Sequence, residues 1–349
     1  MTSPPIPVLL TCGGGPGILA QVASLAASRR AGVRIILADA NPAAGNLFLP
    51  EVDARYRIPL CSDPDFIPAL IRLIEREGVR YLYSGLDEEM PVIARHRAAL
   101  AAAGCGILLP PAEALERALD KRATHMALDG RVHTPPTWFL SDGGPPSDAW
   151  DRLEGKAVIK VTASRGGRHV YLPDDRESYD FHLARARRWH AEAGLDFLVQ
   201  RRIDGDEFNG TSLHDGQGRE IYAFSRRKFE TREVKSSTIA AVVERRDDVI
   251  DMARAAVEGL GLASGFNNTE IIVGADDDRP YFIEVNGGRT AAQDMNVVAS
   301  GVNLTDLMMD LIEGHPVVPL AHIPDGKAIL KIRRDVVVDI ADVMGVPAP

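Results

Sequence analysis

The sequence predicts an α/β domain followed by an α+β domain, and three observations support this prediction. Short apolar runs alternate with helical patterns up to about residue 110, which is typical of a parallel sheet covered by helices. From residue 156 onward apolar runs follow one another with polar turns between them, which is typical of antiparallel strands. Pro110-Pro111 separates the two regions, and 349 residues are enough for two domains.

The first region is predicted to contain four strands and three helices. The strands are "PVLLTC", "VRIILAD", "VRYLYSG" and "GILLP", and the helices are residues 17–30, "DFIPALIRLIERE" and "EEMPVIARHRAALAAAG". A glycine turn, Gly13 to Gly17, joins the first strand to the first helix. Gly15-x-Gly17-x-x-Ala20, with Asp39 closing the second strand, has the form of a dinucleotide-binding fingerprint. A helix N-terminus of this kind can receive an anion.

The second region begins with one predicted helix, "AEALERALDKRATHMAL", and a Pro- and Gly-rich loop, "HTPPTWFLSDGGPPSD". Six antiparallel strands are predicted next: "AVIKV", "HVYL", "FLVQRRI", "EFNGTSLHD", "EIYAFSRRKF" and "SSTIAAVVE". The helix "DDVIDMARAAVEGLGL", a hairpin and the helix "LTDLMMDLIEG" complete the domain. The tail 317–349 contains one further predicted strand, "KAILKIRR".

Composition excludes several classes of protein. A net charge of −9 argues against a general binder of nucleic acid or acidic membranes. Three widely spaced cysteines form neither a metal-binding spacing nor a disulfide framework, which indicates a reducing compartment. The sequence contains neither an 18-residue apolar run nor an N-terminal signal-peptide pattern, so we expect a cytoplasmic protein.

The segment "NTEIIVGADDDRPYFIEVNG" predicts a β-hairpin that turns at Asp277. Because side chains alternate along a strand, Glu270 should lie opposite Glu284, with Asn268 and Asn286 on the same face. The opposite, core-facing side should hold Ile271, Val273, Ile283 and Val285. Two opposed carboxylates repel, and a bound cation reverses the sign of that interaction. Oxygen ligands of this kind suit Mg²⁺, although a solvated face with two tolerated carboxylates is the alternative.

Lys160 lies within the apolar strand "AVIKV", and a short loop with Ser164, Gly166 and Gly167 follows it. A glycine hairpin can lay backbone N–H groups over phosphates, and a strand lysine can reach the same anion. The alternative is a plain β-hairpin with a lysine that extends to solvent. A Gly-x-x-x-x-Gly-Lys-Ser/Thr loop occurs nowhere in the sequence, which excludes a P-loop protein.

The strand lysine, the glycine hairpin, "FLVQRRIDGDEF" and "NTEIIV…YFIEVNGG" occur in an order that resembles the ATP-grasp superfamily, especially its carbamoyl-phosphate-synthetase-like and biotin-carboxylase-like ligases. The resemblance implies a Rossmann-like pre-ATP-grasp domain over 1–112 and an ATP-grasp domain of two lobes over 113–316, with its lid lobe at about 122–198. It also implies a C-terminal segment, 317–349, that packs on the ATP-grasp domain. In such a protein the glycine loop holds no NAD, and Gly14 and Gly15 become candidate substrate contacts.

The resemblance also implies the ATP-binding residues. Lys121 and Lys160 would contact the phosphates, Lys235 the γ-phosphate and Glu207 the ribose hydroxyls. Ser164, Gly166 and Gly167 would form the mobile loop over the β- and γ-phosphates. The hinge strand that reads adenine would run from Gln200 through Arg201 to Ile203.

The implied metal is Mg²⁺, or Mn²⁺ in its place, with Glu270, Glu284 and Asn286 as ligands. Arg289 would lie near the acyl phosphate, so Arg289, Lys235 and Arg227 are the candidate catalytic residues. Arg226, Arg227 or Arg232 of "SRRKFETR" could hold the substrate carboxylate, and a solvated strand face is the alternative for that arginine run. Arg232 and Arg289 are therefore also candidate substrate contacts.

The implied reaction is ATP-dependent ligation of a small-molecule carboxylate to an amine through an acyl phosphate, by an enzyme for which we also expect a homodimer. Two alternatives stay open: bicarbonate activation through carboxyphosphate, and a protein of another class, either a non-catalytic nucleotide-binding subunit or an NAD-dependent oxidoreductase. The sequence departs from the family pattern at Val161, where proline is usual, and at Gln200-Arg201-Arg202, where glutamate is usual. It also departs at Gly287-Gly288-Arg289, where the arginine is displaced by one position.

Overall fold

The structure is a computed structural model that describes residues 5–15, 17–163, 169–231, 238–289, 301–321, 323–331 and 334–349. Its first part is a parallel four-stranded sheet of β1 (Ile6–Thr11), β2 (Val33–Asp39), β3 (Ala54–Arg57) and β4 (Tyr81–Ser84). The strand order is β3-β2-β1-β4. Four helices accompany this sheet: α1 (Ile18–Ala26), α2 (Phe66–Glu77), α3 (Glu89–Arg95) and α4 (Arg97–Ala102).

A second, four-stranded sheet and one long helix form a small lobe, residues 137–201. Its strands are β5 (Thr137–Phe139), β6 (Ala157–Val161), β7 (Val170–Tyr171) and β8 (Phe197–Arg201), and its helices are α7 (Ala149–Arg152) and α8 (Arg176–Ala193). The order is β5-β8-β6-β7. Two further helices, α5 (Ala112–Leu119) and α6 (Lys121–Ala127), lead from the parallel sheet into this lobe.

The largest sheet has six strands in the order β13-β12-β9-β10-β11-β14. The strands are β9 (Gly205–His214), β10 (Glu220–Thr231), β11 (Thr238–Val243), β12 (Gly265–Gly274), β13 (Pro280–Gly287) and β14 (Ala328–Leu330). The remaining helices are α9 (Asp247–Leu260), α10 (Leu304–Ile312) and α11 (Ile340–Met344). An α/β part followed by an α+β part is therefore the observed architecture, as the sequence predicts.

Several predicted elements differ from the observed ones. The segment "GILLP" is not a strand; only Gly106 bridges to Tyr81, and β3 supplies the fourth strand of the parallel sheet. The predicted helix over 88–104 is two helices, because His96 leaves the helical conformation (φ −100°, ψ 17°). The predicted helix over 112–128 also divides, because the extended Asp120 caps α6 by accepting the N–H groups of Arg122 and Ala123 at 2.8 and 3.1 Å.

Helix α8 and strand β5 have no counterpart in the sequence-based prediction. Helix α8 buries only Tyr179, Leu183 and Ala186, a narrow stripe with helical spacing. Asp175 caps its start by accepting the N–H of Ser178 at 2.7 Å, and Gly194 ends it in the left-handed region at φ 65°.

Three hydrophobic clusters hold the molecule together. The first joins α2, α3 and one face of the parallel sheet to α5, α9 and one face of the six-stranded sheet. The second packs α1, α10 and the other face of the parallel sheet against Leu213, Phe224 and Phe266 of the six-stranded sheet. The third lies within the small lobe, beneath α8. Among the described residues, no helix has the length and apolar character needed to cross a membrane.

Candidate active site

A row of polar side chains crosses one face of the six-stranded sheet. Glu284 of β13 pairs with Glu270 of β12, which confirms the predicted opposition of these two residues. Glu270 pairs in turn with Asn209 of β9, and Asn209 with Arg226 of β10. One step along the hairpin, Asn286 lies opposite Asn268. We call this surface the polar sheet face; its carboxylates lie on β12 and β13 and its cations on β10.

A β-bulge follows Glu270 and changes which hairpin residue enters the core. Ile271 pairs with Phe282 instead of Ile283, so the strict alternation predicted for β13 is interrupted. Phe282 is therefore buried in the first cluster beside Ile271 and Val285. The prediction that Ile283 faces the core is wrong: Ile283 is half-buried and lines the cleft described below.

Each hairpin carboxylate has a cation of its own. The Lys228 ammonium contacts Glu270 and lies 3.2 Å from Glu207, so it links two neighbouring strands to β10. Lys121 Nζ lies 3.5 Å from Glu284 Oε2. These pairs offset the repulsion that the sequence predicts between Glu270 and Glu284 in the metal-free protein.

The pKa values of these groups follow from burial and from their partners. Burial opposes ionisation of Glu284, but Lys121 and Lys160 outweigh it and lower the pKa of this carboxyl below its ordinary value. Burial lowers the pKa of Lys160 to about 8, although Glu284 acts in the opposite direction. Burial also acts against the charge of Lys228, but Glu270 and Glu207 prevail and raise its pKa. The site therefore holds partly buried, closely spaced ionised groups whose opposite charges stabilise one another.

A cleft lies between the small lobe and the hairpin. It brings together four of the predicted residues, which are Lys121, Lys160, Gln200 and Glu284. Apolar and small polar side chains form the rest of the wall: Ala118, Thr124, His125, Thr134, Thr137, Phe139, Leu198, Phe282 and Ile283. Its lining combines apolar side chains with two lysines and a carboxylate, which suits a ligand with an aromatic part and an anionic part.

Local hydrogen bonds position the cleft residues. The backbone N–H of Lys121, at the start of α6, donates to the Thr162 carbonyl at 3.0 Å and so ties α6 to the small lobe. Gln200 Nε2 donates to Thr137 Oγ1 at 2.8 Å. Of the predicted hinge residues only Gln200 lines the cleft. Arg201 instead pairs with Glu154 at 2.6 Å, and Ile203 is half-buried.

Arg226 and Arg227 point to opposite faces of β10. Arg226 is buried on the polar sheet face and donates to Asn209. Arg227 pairs across the strands with the core residue Phe208 and forms an ion pair with Glu244 at 2.7 Å. Because Arg227 lies on the far face, its position does not support the catalytic role predicted for it. Arg226 becomes the candidate instead.

The glycine turn of the first sheet is occupied by internal hydrogen bonds. The Gly14 N–H donates to Asp39 Oδ2 at 2.8 Å, and the Gly15 N–H donates to the Cys12 carbonyl at 2.8 Å. Asp39 also accepts the N–H of Asn41 at 2.7 Å. The N–H groups of Gly14 and Gly15 are thus engaged within the turn, and a substrate contact at these two glycines stays a prediction.

The first domain reaches the site through an ion pair that the sequence does not reveal. Arg289, which follows β13, lies 3.2 Å from Asp87, which follows β4.

Lys228 and Asn209 are further site residues absent from the sequence-based prediction. Strand alternation from Arg226 places Lys228 on the polar sheet face once the register of β9 and β10 is known. Ser164, Gly166, Gly167, Arg232 and Lys235 lie outside the described residues.

Comparison with known families decides the identity of this arrangement. A family model described as the ATP-grasp domain matches residues 118–292, half of the chain. The chain belongs to the ATP-grasp family. A second model, described as the PylC-like N-terminal domain, matches residues 8–108 of this ATP-grasp protein.

Solved structures share the fold at low sequence identity. An L-amino acid ligase from Bacillus licheniformis is 20% identical with a TM-score of 0.63, and the match covers 89% of this chain and 75% of that one. A biotin carboxylase from Campylobacter jejuni is 18% identical with a TM-score of 0.66, covering 89% and 71%. A D-alanine–D-alanine ligase from Bacillus anthracis is 16% identical with a TM-score of 0.59, covering 88% and 98%. No curated protein matches the ATP-grasp chain in sequence.

Proposed function

We propose that this ATP-grasp protein is an ATP-dependent ligase that activates a small carboxylate as an acyl phosphate and couples it to an amine. The observation that carries the proposal is the charge order on the polar sheet face. The carboxylates of Glu284 and Glu270 lie at one end, and the cations Arg226 and Lys228 lie further along the same face. Such an order accommodates a metal–phosphate group beside an anionic acceptor.

The chain's own residues would act by positioning and by charge neutralisation. Lys121 and Lys160 border the cleft and would neutralise the ATP phosphates. A carboxylate oxygen of the substrate forms a bond to the γ-phosphorus, and the bond from that phosphorus to the bridging oxygen of ADP breaks. The amine nitrogen then bonds to the acyl carbon and loses a proton, and inorganic phosphate departs with its electron pair.

Glu270, Glu284 and Asn286 would hold Mg²⁺. They present carboxylate and amide oxygens from two adjacent strands of one hairpin, and oxygen donors are the ligands that Mg²⁺ prefers. Bound Mg²⁺ would reduce the negative charge of the phosphates. Mn²⁺ has similar ligand preferences and should be tested beside Mg²⁺.

The proposal assigns residues 1–112 to a pre-ATP-grasp domain, 113–316 to the ATP-grasp domain with a lid lobe at about 122–198, and 317–349 to a C-terminal segment. The lid lobe borders the cleft, and in the proposed reaction it would exclude water from a labile acyl phosphate. The L-amino acid ligase that shares the fold makes amino acids the first acids and amines to test.

The experiment measures ADP formation with pairs of amino acids, with each acid alone, with bicarbonate alone and without any acceptor. For an active pair, the acid is labelled with ¹⁸O in its carboxylate. Acyl-phosphate formation transfers one ¹⁸O to the released inorganic phosphate, because a substrate oxygen becomes bonded to the γ-phosphorus. ADP release that needs only bicarbonate would support carboxyphosphate chemistry instead. Nucleotide binding without ADP formation under any condition would favour a non-catalytic subunit.

Two adjacent arginines provide a matched pair of variants. Arg226→Met should reduce turnover at least about tenfold, because a hydrogen-bonded cation on the polar sheet face is lost. Arg227→Met should retain turnover, because its guanidinium pairs with Glu244 on the other face and such exposed pairs contribute little. Steady-state ADP formation measures both variants. Equal losses would contradict the assignment of the two faces.

A further inference from the structure

The C-terminal segment adds a strand to the edge of the six-stranded sheet and carries Lys331 to the polar sheet face. Ile329 of β14 pairs with Ala241 of β11, and Ala241 pairs with Lys228 of β10. The Lys331 N–H donates to the Ile239 carbonyl at 2.9 Å, which extends this register by two residues. Because alternate residues share a face, Lys331 lies on the same face as Ile329 and Lys228.

Lys331 enters a group of cations contributed by three separate parts of the chain. Burial and the charges of Arg226, Lys228 and Arg289 lower its pKa to about 8, while Glu270 acts in the opposite direction. Strand β11, which lies between β10 and β14, presents Ile239 and Ala241 at this position and adds no charge. Lys331 therefore shares the polar sheet face with Arg226 and Lys228, and the charge of Arg289 also acts on its ammonium.

The partners of these cations differ. Lys228 is balanced by Glu207 and Glu270, and Arg289 by Asp87. Among the described residues, no carboxylate lies within ion-pair distance of Lys331. Half-burying an ammonium beside three other cations is unfavourable unless an anion joins them. An oxyanion at this end of the face would relieve the repulsion and would lie next to the proposed metal site.

We propose that Lys331 is a substrate-binding residue that contacts an oxyanion at the cationic end of the site, first the carboxylate of the acid and then the acyl phosphate formed from it. The C-terminal segment is thereby part of the active site. This inference rests on the proposed function for the identity of the acid, but its binding step is testable without turnover. The same chemistry would also suit the γ-phosphate of ATP, so the experiment separates the two sources.

The test uses the full chain and compares Lys331→Met and Lys331→Arg with the wild type. Lys327→Met is the control, since Lys327 is an exposed lysine four residues earlier in the same segment. Isothermal titration measures the affinity for inorganic phosphate in the presence of Mg²⁺ and ADP. It also measures separately the affinities for ADP and for the β,γ-methylene analogue of ATP.

Lys331→Met should weaken phosphate binding about tenfold or more, the loss expected for one charge-assisted hydrogen bond. Lys331→Arg should restore most of the affinity, Lys327→Met should match the wild type, and ADP affinity should stay unchanged in all variants. A loss confined to the methylene analogue, with phosphate affinity retained, would assign Lys331 to the γ-phosphate and overturn the proposal. Unchanged affinity for every ligand would overturn it as well.

Proton uptake provides a readout that a purely structural lysine would not change. An oxyanion beside Lys331 raises the pKa of its ammonium, so phosphate binding at pH 8 should take up about half a proton more in the wild type than in Lys331→Arg. Titrations in buffers of different ionisation enthalpy measure this difference, and they remain informative if Lys331→Met folds poorly. Equal uptake in the two proteins would contradict the contact.

Failure of this inference and failure of the proposed function are distinguishable. If the ¹⁸O experiment succeeds but phosphate affinity does not depend on Lys331, the ligase stands and the role of Lys331 falls. If Lys331→Met loses phosphate affinity but no acid and amine pair yields ADP, Lys331 remains an anion-binding residue while the proposed reaction falls.

Discussion

At the scale of single residues, the site is a set of charges balanced in pairs. Glu284 lies opposite Glu270, but Lys121 and Lys160 lower the pKa of Glu284, and Lys228 contacts Glu270. Removing one carboxylate therefore leaves cations without their partner. From the sequence alone, the same substitution would be expected to stabilise the protein by relieving the repulsion between the two carboxylates. The sequence reveals these opposed carboxylates but not the lysines beside them.

Glu284→Gln should consequently lower the free energy of unfolding of the metal-free protein by about 1–2 kcal/mol, the cost of depriving buried charged groups of a partner. It should also abolish ADP formation and remove the extra stabilisation that Mg²⁺ gives to the ATP complex. Urea denaturation with and without Mg²⁺ and ATP measures these effects. Glu244→Gln, a carboxylate on the opposite face, is the control. A Glu284→Gln protein more stable than the wild type would show that carboxylate repulsion dominates.

Lys160 makes stability depend on pH in a defined direction. Its pKa is about 8 in the folded protein against an ordinary value of 10.5, so between these values the unfolded chain holds a proton that the folded chain has released. Stability attributable to Lys160 therefore rises with pH across this window, and below it the buried ammonium opposes folding. Lys160→Met should thus be more stable than the wild type at pH 7, by up to about 3 kcal/mol.

That advantage should shrink as the pH rises from about 8 toward 10.5, because the wild-type lysine becomes neutral. Urea denaturation of both proteins at each pH isolates the effect, since other groups titrate alike in the two. Lys156→Met serves as the control, because Lys156 is paired with Asp204 at 2.9 Å and its pKa is raised. A difference that stays constant with pH would show that Lys160 is charged throughout.

At the scale of elements, the sequence predicts what depends on local pattern and misses what depends on register between distant strands. The opposition of Glu270 and Glu284 follows from a turn placed midway between them. Whether Arg226 or Arg227 faces the site depends on how β10 pairs with β9 and cannot be read from "SRRKF" alone. Helix α8 escapes prediction because its three buried residues form too narrow a stripe among eighteen.

The bulge in the hairpin leads to a prediction about two adjacent residues. Phe282→Ala should lower the free energy of unfolding by about 3–4 kcal/mol, because Phe282 is buried in the first cluster. Ile283→Ala should cost less stability and weaken ATP binding several-fold, because Ile283 lines the cleft. Urea denaturation distinguishes the two variants, whereas titration with ATP should show weaker binding in both, because Phe282 also lines the cleft. The reverse outcome, with Ile283 carrying the stability, would mean that β13 alternates without a bulge.

At the scale of the whole molecule, the C-terminal part of the chain packs against the N-terminal domain. Helix α10 packs on α1, where the buried Asp306 accepts hydrogen bonds from Ser28 and from the Arg29 N–H, the latter at 2.9 Å. The Arg57 N–H donates to the Pro347 carbonyl at 2.8 Å. The first two clusters each contain residues of both the parallel and the six-stranded sheets. Contacts between residues far apart in the sequence leave no periodic trace, which is why Asp87, Asp306 and Lys331 escape prediction.

The small lobe differs from the rest because it has a separate core, and this leads to a prediction about cooperativity. All three tryptophans, Trp138, Trp150 and Trp189, pack against the third cluster. Tryptophan fluorescence therefore reports on the small lobe, whereas far-ultraviolet circular dichroism reports on every helix and strand. If the lobe unfolds as a unit of its own, the two signals should respond to different substitutions.

Asp306→Ala removes the buried acceptor of two hydrogen bonds, so it should destabilise the two shared clusters by about 2–3 kcal/mol and shift the dichroism midpoint more than the fluorescence midpoint. Leu183→Ala removes a buried side chain from the third cluster and should shift the fluorescence midpoint more. Urea titrations of both variants, read by both signals, measure these shifts. Coincident midpoints in both variants would mean that the lobe unfolds with the whole molecule. A lobe that opens alone can release a nucleotide while Asp306 and the shared clusters keep the polar sheet face intact.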